Sequence, residues 1–371
     1  MIPTGVGAEI GGHAGDGTPT AKLLASVCDT LITHPNVVNA SDIIDIPDNS
    51  LYVEGSVICR LLMGTVGLQP TRANSLLVLM DAHETPLFNN AVVNSVSGAR
   101  ASYGLHAEVV KLEPKMRMAW REARSGRAAG RIDRLQPLLQ ALSRHAPRFD
   151  AIGITSVIDV PAHFHDDYFR REGDMVNPWG GVEALLTHAT SLIYNVPTAH
   201  SPMFESLSLA NSDPGEVDPR MAAEAVSLTF LQCILKGLQR SPQIVTDASL
   251  FHHQSVVTVE DISCLVIPYD CIGLPTLAAL EQGIPVVAVK ENRNLMRNDL
   301  STLPWKVDQF FPVKNYWEAA GVISALRAGI SPRSVRRPLK RTSVTTTLAS
   351  NPDTTRSQKL INATHEVQVS T

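Results

Sequence analysis

The chain has 371 residues, of which 44% are hydrophobic and 18% charged, with a formal net charge of −4. This length exceeds the range over which one core keeps growing, so two lobes are expected, and the mild acidity offers no polybasic surface for nucleic acid or membrane. Aromatic residues, at 5%, are too few for a base-stacking platform, and no apolar stretch approaches the ~18 residues that cross a bilayer.

The first element, Ile2–Val6, reads as the end of a strand. It leads into a glycine-rich segment, Gly5 to Gly15, ahead of an amphipathic helix over Thr18–Thr30. Leu31–Thr33 reads as a strand running into a turn, because Pro35 pushes His34 out of helical geometry. Leu51–Met63 has helical spacing, and Ser75–Met80 is a continuous apolar run typical of a buried parallel strand. Pro114–His145, rich in arginine and alanine, predicts a surface helix broken near Gly130. Asp150–Asp159 is a second buried strand, and helices are expected over Gly181–Tyr194 and Arg220–Gln239. Asp261–Pro268 and Ile284–Val289 read as strands flanking a helix at Pro275–Gln282. Strands followed this regularly by helices predict an α/β protein of two Rossmann-like lobes with mainly parallel sheets. The lobes are expected at 1–150 and 151–330, followed by a flexible, basic and Ser/Thr-rich tail at 331–371 that buries too little apolar surface to order.

Five scattered cysteines, Cys28, Cys59, Cys233, Cys264 and Cys271, form no CxxC pair, which predicts reduced thiols. The N-terminal stretch has no basic region followed by an apolar run, so a cytoplasmic location is expected.

Glycine lets backbone approach a ligand closely, and amides ahead of a helix attract anions. Gly11, Gly12 and Gly15 therefore predict an anion-binding turn, with Asp16 beside it. The GxGxxG spacing is not met, which disfavours a nicotinamide site. His34, Asn36 and Asn39 lie at the carboxyl end of a strand, where open α/β sheets bind ligands, and Glu54 adds a carboxylate. A further cluster holds Glu183, His188 and His200. Glu183 and His188 are five residues apart and do not share a helix face. His34 and His200, each at a strand end beside proline, predict a general acid and base. His163 and His165 resemble a ligand run but read as exposed loop residues, and no metal site is assigned. Cys271 sits at a strand-to-helix elbow, where a helix N-terminus favours thiolate. Glu291 and Asn292 end a later strand.

Gly15-Asp16-Gly17-Thr18 resembles the GDGT run of NAD kinases. Gly273-Leu-Pro-Thr-Leu-Ala-Ala-Leu-Glu281-Gln-Gly283-Ile-Pro285 resembles the nucleotide-sugar end of two-domain glycosyltransferases and sugar-nucleotide epimerases, which would place Glu281 on the donor. A broader resemblance rests on Ile-Gly-Gly-His-Ala-Gly-Asp16, Leu31-Ile-Thr-His-Pro-Asn-Val, Tyr52-Val-Glu-Gly and Val196-Pro-Thr-Ala-His-Ser-Pro. It points to an uncharacterised domain-of-unknown-function family common in cyanobacteria, and it implies no activity. Gly17 and Ile272 depart from that pattern.

These readings converge on an enzyme that performs acid–base chemistry on a small anionic metabolite, of isomerase, lyase or hydrolase type. The alternatives are a glycosyltransferase- or epimerase-like protein that binds a nucleotide sugar, and a non-catalytic metabolite-binding protein. No cofactor is assigned. The expected partner is the small anion, with no nucleic acid and no membrane, and assembly into a homo-oligomer is left open.

Overall fold

The computed structural model describes residues 7–40, 43–122, 128–170, 175–226, 230–296 and 298–346. The expected strand at Ile2–Val6 and the tail from 347 onward lie outside them. The chain divides into two units, 1–330 and the residues from 331 onward. The described part of the latter, 331–346, has no helix or strand and is nearly all exposed.

In chain order the first unit runs α1 (Thr18–Ala25), β1 (Leu31–Thr33), β2 (Ser50–Tyr52), α2 (Gly55–Leu62), β3 (Ser75–Asp81), α3 (Pro86–Tyr103) and β4 (His106–Leu112). It continues with β5 (Arg117–Glu122), β6 (Ala128–Asp133), α4 (Gln136–His145), β7 (Ala151–Asp159), α5 (Ala162–Arg170), α6 (Gly180–Tyr194) and β8 (Thr198–Met203). The rest is α7 (Ala222–Ala225), α8 (Leu231–Gln239), β9 (Leu265–Pro268), α9 (Leu274–Gln282), β10 (Val286–Val289), β11 (Phe310–Val313) and α10 (Tyr316–Arg327).

The protein is α/β with mainly parallel sheets. Among the described residues its largest sheet has six strands, with β7 between β3 and β8, and these three run parallel. Beyond the end of β3, the last residues of β7 pair with β5. This sheet joins strands from both sides of residue 150. A smaller parallel sheet is ordered β9-β10-β11, and β1 pairs with β2. Alternation along β3 shows why the run is apolar throughout. Leu76, Val78 and Met80 enter one core cluster, while Leu77 and Leu79 enter another on the opposite face. A strand covered on both sides has no water-facing row to make polar. β10 behaves likewise, with Val287 and Val289 on one face and Val286 and Ala288 on the other.

The region expected to be a broken surface helix from Pro114 is instead the antiparallel pair β5–β6 followed by α4. Met116 and Met118 are buried while Arg117 and Arg121 are exposed, a period of two that the arginine and alanine content masks. Gly130 is no helix breaker. A Cβ there would lie 2.2 Å from Val182, so its bare backbone lets α6 close onto β6. The helix expected at Leu51–Met63 is strand β2 plus α2, divided by Glu54, whose carboxylate accepts the Ser56 N–H at 2.9 Å as an N-cap. The helix expected over Thr18–Thr30 ends at Ala25, and the one over Arg220–Gln239 divides into α7 and α8.

Candidate functional site

At the carboxyl ends of β7 and β8 the chain encloses a cavity of about 190 Å³. Its walls come from the turn at 12–14, the short helix after His34, α5, the start of α6, and the loop after β8. Phe169, Trp179 and Phe204 supply aromatic surface, and His13, His165, Glu183, His200, Glu205 and Glu224 supply titratable groups. His163 and His165 are not loop residues, because both lie on α5. His165 is largely buried, and its Nε2 is 3.3 Å from Glu205 Oε1.

His200 stands on β8 opposite Ile154 of β7. Ser156, two residues further along β7, shares that face of the sheet. The Ser156 hydroxyl is 2.8 Å from His200 Nε2, and His200 Nδ1 is 3.3 Å from Glu183 Oε1. A carboxylate accepts only, so Nδ1 carries the proton and Nε2 accepts from Ser156. Both ring nitrogens are thus engaged, and the imidazole side chain is 1% exposed against 20% for Glu183. His200 and Glu183 both line the cavity, and Glu183 is the more exposed of the two, with His200 and Ser156 supporting it.

Opposite lies a second chain of hydrogen bonds. Tyr168, fully buried on α5, has its hydroxyl 3.0 Å from His13 Nδ1 and 3.0 Å from Glu224 Oε2. The Ala14 N–H donates to Glu224 Oε1 at 2.6 Å. Burial pushes the Glu224 carboxyl up to about 7, and the nearby Glu183 carboxyl adds to the effect. Burial, reinforced by the Arg220 charge, lowers the His13 imidazole to about 4.

The glycine turn directs its amides onto acceptors of its own chain. The Gly11 N–H donates to Asp16 Oδ1 at 2.8 Å, the Ala14 N–H to Glu224, and the Gly15 N–H to the Asn36 carbonyl at 3.1 Å. Asp16 fills the place that the anion was expected to take, and its burial raises its carboxyl to about 7. The glycines serve close packing. A Cβ on Gly12 would lie 2.0 Å from the Ala8 carbonyl oxygen, a backbone atom that cannot swing aside. Gly12→Ala is therefore expected to cost about 1–3 kcal/mol in urea unfolding. By contrast, Gly321→Ala on α10, where a Cβ meets nothing, should stabilise by about 0.5–1 kcal/mol. Equal effects at the two positions would contradict the packing role.

Of the residues singled out from the sequence, the cavity gathers Gly12, Asn36, Asn39, Glu183 and His200. Asn39 is tied to the Tyr52 hydroxyl at 2.9 Å. His34, Glu54 and His188 form a separate knot. Glu54 Oε1 pairs with His188 Nδ1, and a Cβ on Gly55 would touch both imidazoles at 3.1–3.2 Å. His34 Nδ1 accepts the Asn36 N–H at 3.2 Å as a helix cap, and burial lowers that imidazole to about 4. Cys271 is buried in the core beside Leu265 and Ile267, with Met296 Sδ 3.9 Å away. Glu291 is exposed beside Lys314, and Glu281 is exposed on α9. Asn292 pins the N-terminal segment, exchanging hydrogen bonds with both Ile10 backbone groups and donating to the Tyr316 hydroxyl at 2.7 Å. Among the described residues no three His, Cys, Asp or Glu side chains group as a metal site.

Sequence reasoning missed His13, Ser156, Tyr168, Glu205 and Glu224. Two of them carried a signal: His13, inside the glycine-rich motif, and Ser156, a hydroxyl next to Thr155 inside an apolar strand. Tyr168 and Glu224 lie 56 positions apart, and nothing local joins them.

A family model described as "Protein of unknown function (DUF3326)" matches residues 1–336. An uncharacterized lipoprotein of Synechococcus sp. is 34% identical over 346 residues, covering 90% of this chain and 92% of that protein. That relative's name contradicts the expected cytoplasmic location, since a lipoprotein is held at a membrane by attached lipid. No helix among the described residues is long and apolar enough to cross a membrane.

Proposed function

This chain belongs to the DUF3326 family, and we propose that it is an enzyme that moves protons on a small polar metabolite held in the cavity. The observation that carries this reading is the pair of acid–base units facing one space. Glu183 is backed by His200, and the buried Glu224 is linked to His13 and pushed up to about 7. A carboxyl that burial keeps protonated near neutral pH, facing a second acid–base unit, can serve with it as donor and acceptor in one reaction. Isomerisation, elimination and hydrolysis all use such a pair.

Four carboxyl groups, Asp166, Glu183, Glu205 and Glu224, line the cavity against one guanidinium, Arg170. This balance favours an uncharged or cationic substrate over the small anion expected from the glycine turn, because like charges disfavour entry. The Synechococcus relative's name supports a membrane-associated setting for this chain as well.

The test is a panel of small polyols, amines, amides and carboxylates incubated with the protein in D2O and followed by proton NMR. Turnover or deuterium uptake in one class, lost in Glu183→Gln, is expected. Ligands that raise the melting temperature but exchange no proton and form no product would favour the non-catalytic binding protein.

A further inference from the structure

The chain His13–Tyr168–Glu224 has a property that its separate hydrogen bonds do not. His13 and Glu224 both line the cavity, whereas Tyr168 lies behind them, with its hydroxyl 3.0 Å from each. A hydroxyl both donates and accepts, so the three groups have two complementary arrangements. With Glu224 ionised, Tyr168 donates to Oε2 and accepts from His13 Nδ1–H. With Glu224 protonated, its O–H donates to Tyr168, Tyr168 donates to Nδ1, and the imidazole carries its proton on Nε2. Asn177 Nδ2, 3.4 Å from the hydroxyl, donates in either arrangement. His13 Nε2 has no hydrogen bond among the described residues, and His13 lines the cavity.

We infer that His13 is the catalytic base opposite Glu183, and that Tyr168 couples it to Glu224 as a buried proton store. This inference rests on the acid–base reading of the cavity. As the substrate X–H bond breaks, its electron pair stays on X and the proton bonds to His13 Nε2. The Nδ1 proton passes to the Tyr168 oxygen, and the Tyr168 proton passes to Glu224 Oε2. One negative charge moves from Glu224 to the substrate, and the imidazole remains neutral throughout. The reverse shift returns the proton from Nε2 to another substrate atom and restores the starting arrangement. This explains how an imidazole lowered to about 4 can serve as a base near neutral pH: the cation that burial disfavours never forms. Tyr168 is a positioning residue, since it touches no substrate.

The test follows the His13 tautomer by nitrogen-15 NMR and the Glu224 carboxyl by carbon-13 NMR in the full chain without substrate. As Glu224 titrates near about 7, His13 is expected to switch from the Nε2–H to the Nδ1–H tautomer with rising pH, with no imidazolium signal. Glu183 and Asp16 lie within electrostatic range of Glu224, and Asp218 and Arg220 within range of His13. The switch should therefore be referenced to the observed Glu224 titration rather than to pH alone. Tyr168→Phe should uncouple the two signals. Glu224→Gln, whose amide donates where the protonated acid did, should hold neutral His13 as Nε2–H throughout the pH range above its own titration at about 4. A single tautomer across the Glu224 titration, or a switch that survives in Tyr168→Phe, would overturn the coupling. Because no substrate is present, the coupling and the enzyme reading fail separately.

Discussion

Glu224→Gln is expected to gain about 3 kcal/mol of stability relative to the wild-type chain between about pH 4 and pH 8. The Glu224 carboxyl is raised by burial from 4.5 to about 7 in the folded state. Between those values the folded chain holds a proton that the unfolded chain has released, so wild-type stability falls as pH rises through the window. Glutamine has no such proton, and it keeps an acceptor for the Ala14 N–H and a donor for Tyr168. Asp16, also raised to about 7, lowers wild-type stability in the same direction. His13 and His34 oppose it. Each falls from 6.5 to about 4 on folding, so each adds stability as pH rises through that interval. These contributions are common to both chains and largely cancel in the difference. Urea unfolding of both proteins at three pH values measures it, and a difference independent of pH would mean that Glu224 is not a buried, neutralised acid.

The second large effect concerns rate. On whichever substrate class shows exchange or turnover, Glu183→Gln is expected to lower the rate by about 10²–10⁴-fold, the range for losing a positioned acid or base. The amide oxygen can still accept from His200 Nδ1, so the fold and the 3.3 Å contact have no reason to change. Cys271→Ala serves as the control. Its thiol is buried in the core away from the cavity, and the rate should stay within about twofold while stability drops. If the two variants lost rate equally, the chemistry would lie elsewhere.

Part of this site was visible before any fold was known. His200, Glu183, Asn36, Asn39 and Gly12 stand in stretches where strand ends and helix starts alternate, and open α/β sheets bring such ends together. His34 and Cys271 carried equally good local signals, yet they fall into a capping knot and the core. A strand end shows that a residue is near an edge of a sheet but not which neighbour shares that edge. For the glycine turn, spacing showed close backbone approach. It did not show that the approaching group would be the chain's own Asp16 and Ala8 rather than a ligand.

By itself, the sequence determined the α/β class, the buried strands read at Ser75–Met80, Asp150–Asp159 and Ile284–Val289, and the helices read at Gly181–Tyr194 and Pro275–Gln282. Those follow from apolar runs and helical spacing, which are local properties of the chain. Tertiary structure alone decided that Pro114–His145 contributes a strand pair, that the turn amides are already satisfied, and that His13, Tyr168 and Glu224 meet. Desolvation and hydrogen-bond pairing between residues as far apart as Ala14 and Glu224, 210 positions, depend on packing, and packing is where Glu224 acquires a proton near neutral pH.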